Sequence, residues 1–357
     1  MQGIIMSRNL KIGIIGAGWI ANHHINGYVK SNKAEIISIA DPNLDAARQL
    51  ASKHNLDLKI HENYGEMLDD NDIDAVSICA PNKFHSEITV AAAQAQKHIL
   101  CEKPFISSVE QAYESLRAIR KNNIKCAVGF HRRFNPLYRL IKETIDSGLI
   151  GDIFFCQCDY IHNQMQLPII KWTLKKEFNP SLFHAGGSHC VDLLRYLVGA
   201  EICECTAFVS NKSCPECETE ADTIAIYRFD TEALGKVMRI APAPITGFDF
   251  NVEVYGTKGT FKNNKLRLDS FPEYWDPANK DDLITFPDWI PNNTPGPTEP
   301  WDVEVAEFVN WILDDRDETD LCQAIDAVKV AEACWAAVVS DKEKRVVKLP
   351  MLEYGKI

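Results

Sequence analysis

Hydrophobic positions fall in two patterns along this chain. Up to about Gly129, short runs that are apolar on both sides alternate with stretches of helical spacing. Leu10–Ile15, Glu35–Ala40, Ala75–Ala80, Ile99–Cys101 and Cys126–Gly129 read as strands. Ile20–Val29, Leu44–His54, Ser86–Ala95 and Ser108–Lys121 read as helices, with Asn43 suited to cap the second and Ser107 or Ser108 the last. Strands apolar on both faces imply a parallel sheet covered on both sides. Past Phe134 the pattern changes. Pro136–Ser147 is helical and stops at Gly148. Longer strand-like segments follow at Ile153–Ile161, Glu204–Ser210, Thr223–Phe229, Gly235–Ile240, Phe250–Tyr255 and Gly259–Lys262. One helix, Cys190–Leu197, interrupts them. Pro272–Pro300 reads as a surface excursion, Val303–Leu313 and Cys322–Val339 as helices, and Arg345–Leu349 as a last strand.

The expected fold is therefore an α/β Rossmann domain, residues 8–130, followed by an α+β domain with a large open, mainly antiparallel sheet, residues 131–357. The C-terminal helices are free to pack back on the first domain.

Composition narrows the function. A formal net charge of −12 argues against nucleic acid and anionic membrane as partners. No apolar stretch is long enough to span a bilayer. The opening Met1-Gln2-Gly3-Ile4-Ile5-Met6 lacks the basic region of a signal peptide, and Met6 is an alternative start. Several of the twelve cysteines, among them Cys79, Cys101 and Cys126, lie in apolar runs, so the expectation is reduced thiols and a cytoplasmic protein.

Gly16-Ala17-Gly18-Trp19-Ile20-Ala21 follows the first strand and opens the first helix. Gly16 permits a tight turn, Gly18 lets backbone approach a pyrophosphate, and Ala21 keeps the helix close to the sheet. The helix N-terminus then faces phosphate charge. Asp41 ends the second strand, where a carboxylate accepts from ribose hydroxyls and repels a 2′-phosphate. The implied cofactor is NAD rather than NADP. Asp41 also has a plain reading as a cap before Pro42. Asn82 and His85, after Pro81, suit contacts to the nicotinamide half; Asn82 equally suits a helix N-cap. Glu102-Lys103-Pro104 follows the buried run Ile99-Leu100-Cys101, so Lys103 projects where such sheets bind ligands.

These pieces resemble the glucose–fructose oxidoreductase / inositol dehydrogenase / MocA (Gfo/Idh/MocA) family. The resemblance runs through Ala80-Pro81-Asn82-Lys83-Phe84-His85, Cys101-Glu102-Lys103-Pro104 and Gly129-Phe130-His131-Arg132-Arg133-Phe134-Asn135-Pro136. It continues through Gly148-Leu149-Ile150-Gly151 and the segment from Gly186-Gly187-Ser188-His189 to Leu197, and so covers nearly the whole chain. It implies NAD- or NADP-linked oxidation or reduction of sugars, polyols or their derivatives, in a homodimer or homotetramer formed through the open sheet. It also implies a cis bond before Pro104.

Such chemistry needs a base near neutral pKa and a cation for the developing alkoxide. His189 is the candidate acid/base and Lys103 the cation. Asp192, three residues after His189 on the same helical face, orients the imidazole, accepts a substrate hydroxyl, or only charges the helix start. The pair Gly186-Gly187 is expected to admit a ligand closely. Family members often carry aspartate four residues before the histidine; here it is Ala185, with His184 as its substitute or a bystander. Trp172 and Lys176 fall where the family places substrate-side contacts, though Trp172 is equally a core residue. His131 and Arg132 can reach the same crevice. The family also includes NAD-assisted glycoside hydrolases and non-catalytic NAD-sensing regulators. Cys203, Cys205, Cys214 and Cys217 bring four thiols close in sequence, but the spacing is not a common zinc pattern and the neighbouring glutamates disfavour a reactive thiolate.

Overall fold

The computed structural model describes residues 9–163, 175–177, 181–241, 248–268, 284–286 and 299–356. Contacts divide the chain into two units. One takes the described residues of Met1–Phe134, Pro295–Ala327 and Lys356–Ile357; the other takes those of Asn135–Thr294 and Val328–Gly355.

The first unit is built on a sheet of β1 (Leu10–Ile15), β2 (Ala34–Ala40), β3 (Lys59–His61), β4 (Ala75–Ile78), β5 (His98–Cys101) and β6 (Cys126–Val128). The spatial order is β6-β5-β4-β1-β2-β3, all parallel, with Cys322–Gln323 antiparallel on the outer edge of β6. Chain order reverses between β1 and β4, the switch point at which such sheets bind ligands. The helix Ala21–Ser31 buries Ile25 and Tyr28 in one core with Val305, Phe308 and Val309 of the helix Pro300–Leu313. Asn43 caps Leu44–Lys53 by accepting the Ala46 N–H, and Ser108 caps Val109–Lys121 through Gln111 N–H. β3 and the short helix Tyr64–Leu68 are absent from the sequence-based expectation. At three and five residues they carry too little periodicity to be seen. Cys322 and Gln323, expected to begin a helix, are strand; the helix starts at Ala324.

Among the described residues, the second unit holds a nine-stranded sheet. Its main strands are β7 (Ile153–His162), β8 (Ile202–Ser210), β9 (Asp222–Phe229), β10 (Leu234–Ile240), β11 (Phe248–Gly256), β12 (Gly259–Lys262) and β13 (Lys265–Leu268). The order is β13-β12-β11-β7-β10-β9-β8, with Ile284–Thr285 and Val347–Lys348 at the two edges. Every pairing is antiparallel except β7 with β10. β9 alternates strictly: Thr223, Ala225, Tyr227 and Phe229 point in, and Ile224, Ile226 and Arg228 point out. The helix Ser188–Val198 covers the inner face through Leu193, Leu194 and Leu197. It starts two residues before the expected Cys190, directly after a π-helical turn at Phe183–Gly187. Most of Pro272–Pro300 lies outside the described residues. Among the described residues no helix is long and apolar enough to cross a membrane.

Candidate active site

The glycine-rich turn is built as its residue types require. Gly16 has φ +100°, and a Cβ there would lie 2.7 Å from the Cys79 backbone. A Cβ on Gly18 would meet nothing within 4 Å, so the backbone there faces open space. The helix that follows has no acidic side chain in its first turn, leaving its amide end favourable to an anion. Ala21 is fully buried against the sheet. Ile20 is the residue before the helix, and Trp19 is 60% exposed at the turn, edge-on to His23.

Asp41 closes the turn from the neighbouring strand. Its Oδ2 accepts the Ala17 N–H at 2.7 Å, and its Oδ1 accepts the Asn43 N–H at 2.7 Å. The helix cap is Asn43 rather than Asp41. A carboxylate has further acceptor positions on both oxygens, so these two bonds leave capacity for hydroxyl donors. Open backbone at Gly18, an uncluttered helix start and a carboxylate at the end of β2 together fit a dinucleotide with a free 2′-hydroxyl.

Pro81 is exposed, and Asn82 begins a short 3-10 turn, Asn82–Phe84. The next helix starts at His85 with Phe84 in the cap position and no side-chain cap bond, so Asn82 is not its cap. His85 is buried, with Nδ1 2.8 Å from the Pro104 carbonyl and Nε2 2.8 Å from the Ala80 carbonyl. Both ring nitrogens thus face backbone carbonyls. Burial lowers its pKa against the pull of the two carbonyls. Its place is to tie the end of β4 to the Lys103–Pro104 segment.

Lys103 follows the carboxyl end of β5 and is half-buried; its bond to Pro104 is cis. Glu102 is buried, and its Oε2 accepts the Lys103 N–H at 3.1 Å. Glu102 Oε1 lies 3.1 Å from Nε2 of the fully buried His24. His24 is missing from the sequence-based site. Two cues pointed to it: a histidine on the buried face of the first helix and a serine, Ser77, inside an apolar strand.

His131 and Arg132 lie in the turn His131–Phe134 and are both buried. The His131 ring stacks on Trp301 at 4.0 Å, so one of its faces is taken by protein. Burial, then the charges of Arg132 and Lys103, hold its pKa well below the ordinary histidine value.

In the second unit, His189 and Asp192 sit in the first turns of Ser188–Val198 and are buried. The glycine pair before them has another reason than ligand access. A Cβ on Gly186 would collide with the guanidinium of Arg239, and one on Gly187 would come within 2.7 Å of the Phe183 ring. The chain's own side chains fill that space. Arg239 is 2% exposed and lies 5.3 Å from the Tyr160 ring centre. His184 is buried, its N–H bonded to Ser181 Oγ at 3.0 Å and its ring edge-on to Trp335 at 5.9 Å. Lys176 donates its N–H to Glu218. Trp172 lies outside the described residues.

The expectation of uniformly reduced cysteines fails at one pair. Cys214 and Cys217 form a disulfide, because the turn between them brings their Cα atoms to 5.5 Å. Cys203 and Cys205 are free thiols on β8. Among the described residues no three His, Cys, Asp or Glu side chains are grouped to hold a metal ion.

Residues 10–130 match the GFO/IDH/MocA oxidoreductase family, NAD-binding Rossmann fold, and residues 138–262 match the GFO/IDH/MocA C-terminal domain. An uncharacterised oxidoreductase of Bacillus subtilis, YrbE, is 31% identical over 258 residues, which is 71% of this chain and 74% of the relative. The scyllo-inositol 2-dehydrogenase (NAD(+)) of the same organism is 30% identical over 272 residues, 73% of this chain and 76% of that one. A solved levoglucosan dehydrogenase, in complex with NADH and levoglucosan, superposes with a TM-score of 0.83 at 25% identity, covering 97% of this chain and all of its own. With both family domains matched in order over most of its length, the chain belongs to the GFO/IDH/MocA family of oxidoreductases and binds NAD through its first domain.

Proposed function

We propose that this protein is a dehydrogenase that oxidises a secondary hydroxyl of a sugar, polyol or sugar derivative, or reduces the matching ketone. The observation that carries the reading is Lys103: an amine after the carboxyl end of β5 in an NAD-binding sheet, its backbone anchored by Glu102. The relatives that act on scyllo-inositol and levoglucosan support the substrate class. NAD, when bound, takes or returns the hydride. The chain's residues handle the rest. The Lys103 ammonium stabilises the oxygen as it becomes alkoxide. The His189 imidazole takes the hydroxyl proton in oxidation and returns it in reduction. Asp192, one turn further along the same helix, orients that imidazole.

A spectrophotometric screen with NAD against inositols, levoglucosan, aldoses, uronates and amino sugars tests this. The expected outcome is NADH formation, or its consumption with keto-sugars, that Lys103→Ala and His189→Ala each reduce about 100-fold. Full activity in both variants refutes the two roles. We also infer a homodimer or homotetramer, because the outer face of the second sheet exposes Phe208, Ile224 and Ile226 together. Light scattering on the purified protein reads this directly, and a monomer at micromolar concentration refutes it.

A further inference from the structure

A buried histidine and a buried carboxylate are each costly alone and become tolerable when they satisfy one another. His24 is fully buried on the helix Ala21–Ser31, and Glu102 is 6% exposed at the end of β5. His24 Nε2 is 3.1 Å from Glu102 Oε1. Its Nδ1 is 3.0 Å from Ser77 Oγ, which in turn is 2.8 Å from the Tyr28 hydroxyl. The second carboxylate oxygen, Oε2, accepts the Lys103 N–H. Gly129 closes the remaining side, for a Cβ there would come within 2.9 Å of Oε1. The carboxylate is thus held by the first helix through His24, by Gly129 just after β6, and by the residue it precedes.

We propose that His24 and Glu102 are positioning residues for Lys103: Glu102 anchors the lysine backbone and balances its ammonium charge, and His24 fixes the carboxylate from below. The inference rests on the reading of Lys103 given above. Electrostatics agree with the geometry. Burial opposes a charge on His24, yet the Cys79 sulfur and the Glu102 carboxylate outweigh it and hold its pKa well above the ordinary histidine value. Burial likewise opposes the Glu102 charge, but His24 first and Lys103 second keep its pKa below the usual carboxylate range. The other titratable groups around the pair are His23 beside His24, His85 across from Glu102, Cys101 on β5, and His131. Ser77 and Tyr28 complete the chain of contacts and carry no charge at neutral pH.

The test reads Lys103 itself and needs no substrate. The full-length protein is labelled with acetic anhydride across a pH series, and acetylation at Lys103 is followed by mass spectrometry. Glu102→Gln keeps an oxygen for the Lys103 N–H but removes the charge; its labelling midpoint is expected to fall by about one pH unit. In a His24→Leu background the carboxylate loses the partner that holds it beside Lys103, so the further shift caused by Glu102→Gln is expected to shrink to less than about half a unit. In a His24→Gln background, which retains an amide donor toward Glu102, the Glu102→Gln shift is expected to stay near about one unit. Circular dichroism and a cooperative melting transition confirm that each variant is folded. A Glu102→Gln midpoint indistinguishable from wild type in folded protein overturns the proposal, as does a Glu102→Gln shift undiminished in the His24→Leu background. A Lys103→Met variant that kept full dehydrogenase activity would refute the catalytic role of Lys103 instead, and the labelling result would stand apart from it.

Discussion

The Asp41 carboxylate binds the turn it faces, its Oδ2 accepting the Ala17 N–H at 2.7 Å across 24 residues of sequence. One side chain therefore shapes the phosphate-binding turn and presents acceptors at the place suited to ribose hydroxyls. Asp41→Ala removes both. A hydrogen bond to a charged group contributes about 1.5–3 kcal/mol, so the Kd for NAD is expected to rise about tenfold or more. The loss of negative charge should also narrow the preference for NAD over NADP. Titrating both cofactors by fluorescence checks this; unchanged affinity for NAD would mean that Asp41 serves the fold alone.

The two glycines of the turn should separate stability from binding. Gly16 sits at φ +100° with the Cys79 backbone where a Cβ would go, so Gly16→Ala is expected to destabilise the protein by about 2–4 kcal/mol. Gly18 faces open space, so Gly18→Ala is expected to leave the melting temperature nearly unchanged and to weaken NAD binding by placing a methyl in the pyrophosphate's path. Calorimetry with and without NAD distinguishes the two. Equal effects of both substitutions on apo stability would contradict this division.

Strands such as Leu10–Ile15 and Gly259–Lys262 were legible because burial on one or both faces writes itself into local composition. The turn Gly16–Ala21 was legible for the same reason: its constraints are local. What stayed hidden depends on partners far along the chain. Gly186 is glycine because of Arg239, and His24 is buried for Glu102, 78 residues away; neither partnership has a periodicity to read. His85 was read from its position, and its two carbonyl partners appeared only with the fold.

His131 gives the protein a specific weakness toward acid. Burial and neighbouring positive charges hold its pKa well below 6.5, whereas in the unfolded chain it titrates near 6.5. The unfolded state therefore takes up a proton that the folded state refuses. The stability His131 contributes is complete above about pH 6.5 and is lost as the pH falls below it. His23, His85 and His98 shift in the same direction and His24 in the opposite one, so the comparison must be with a variant. His131→Phe keeps an aromatic ring on Trp301 and removes the proton site. Between pH 7.5 and 5.5 wild type is expected to lose roughly 2–4 °C more in Tm than the variant. Parallel Tm curves would show that His131 does not titrate differently on folding.

The Cys214–Cys217 bridge has a structural consequence that thiol counting and calorimetry can both read. Both residues are buried and share a small apolar cluster with Leu182 and Ala221. The same loop is tied down by Asn211, whose Nδ2 donates to the Cys217 and Thr219 carbonyls, and by Thr219 Oγ1, which accepts the Leu182 N–H. Leu182 is the residue before the π-helical turn that leads to His189. The bridge thus braces the entry to the helix carrying the proposed acid/base. In denaturant without reductant, titration is expected to find ten free thiols of twelve, rising to twelve after reduction. Closing so short a loop restrains the unfolded chain by about 2 kcal/mol, so Cys214→Ser with Cys217→Ser should lower the Tm by a few degrees. The same double variant should lower kcat more than it weakens NAD binding, since the disturbed segment lies in the second unit and the cofactor turn in the first. Twelve thiols before reduction would remove the bridge and this prediction with it.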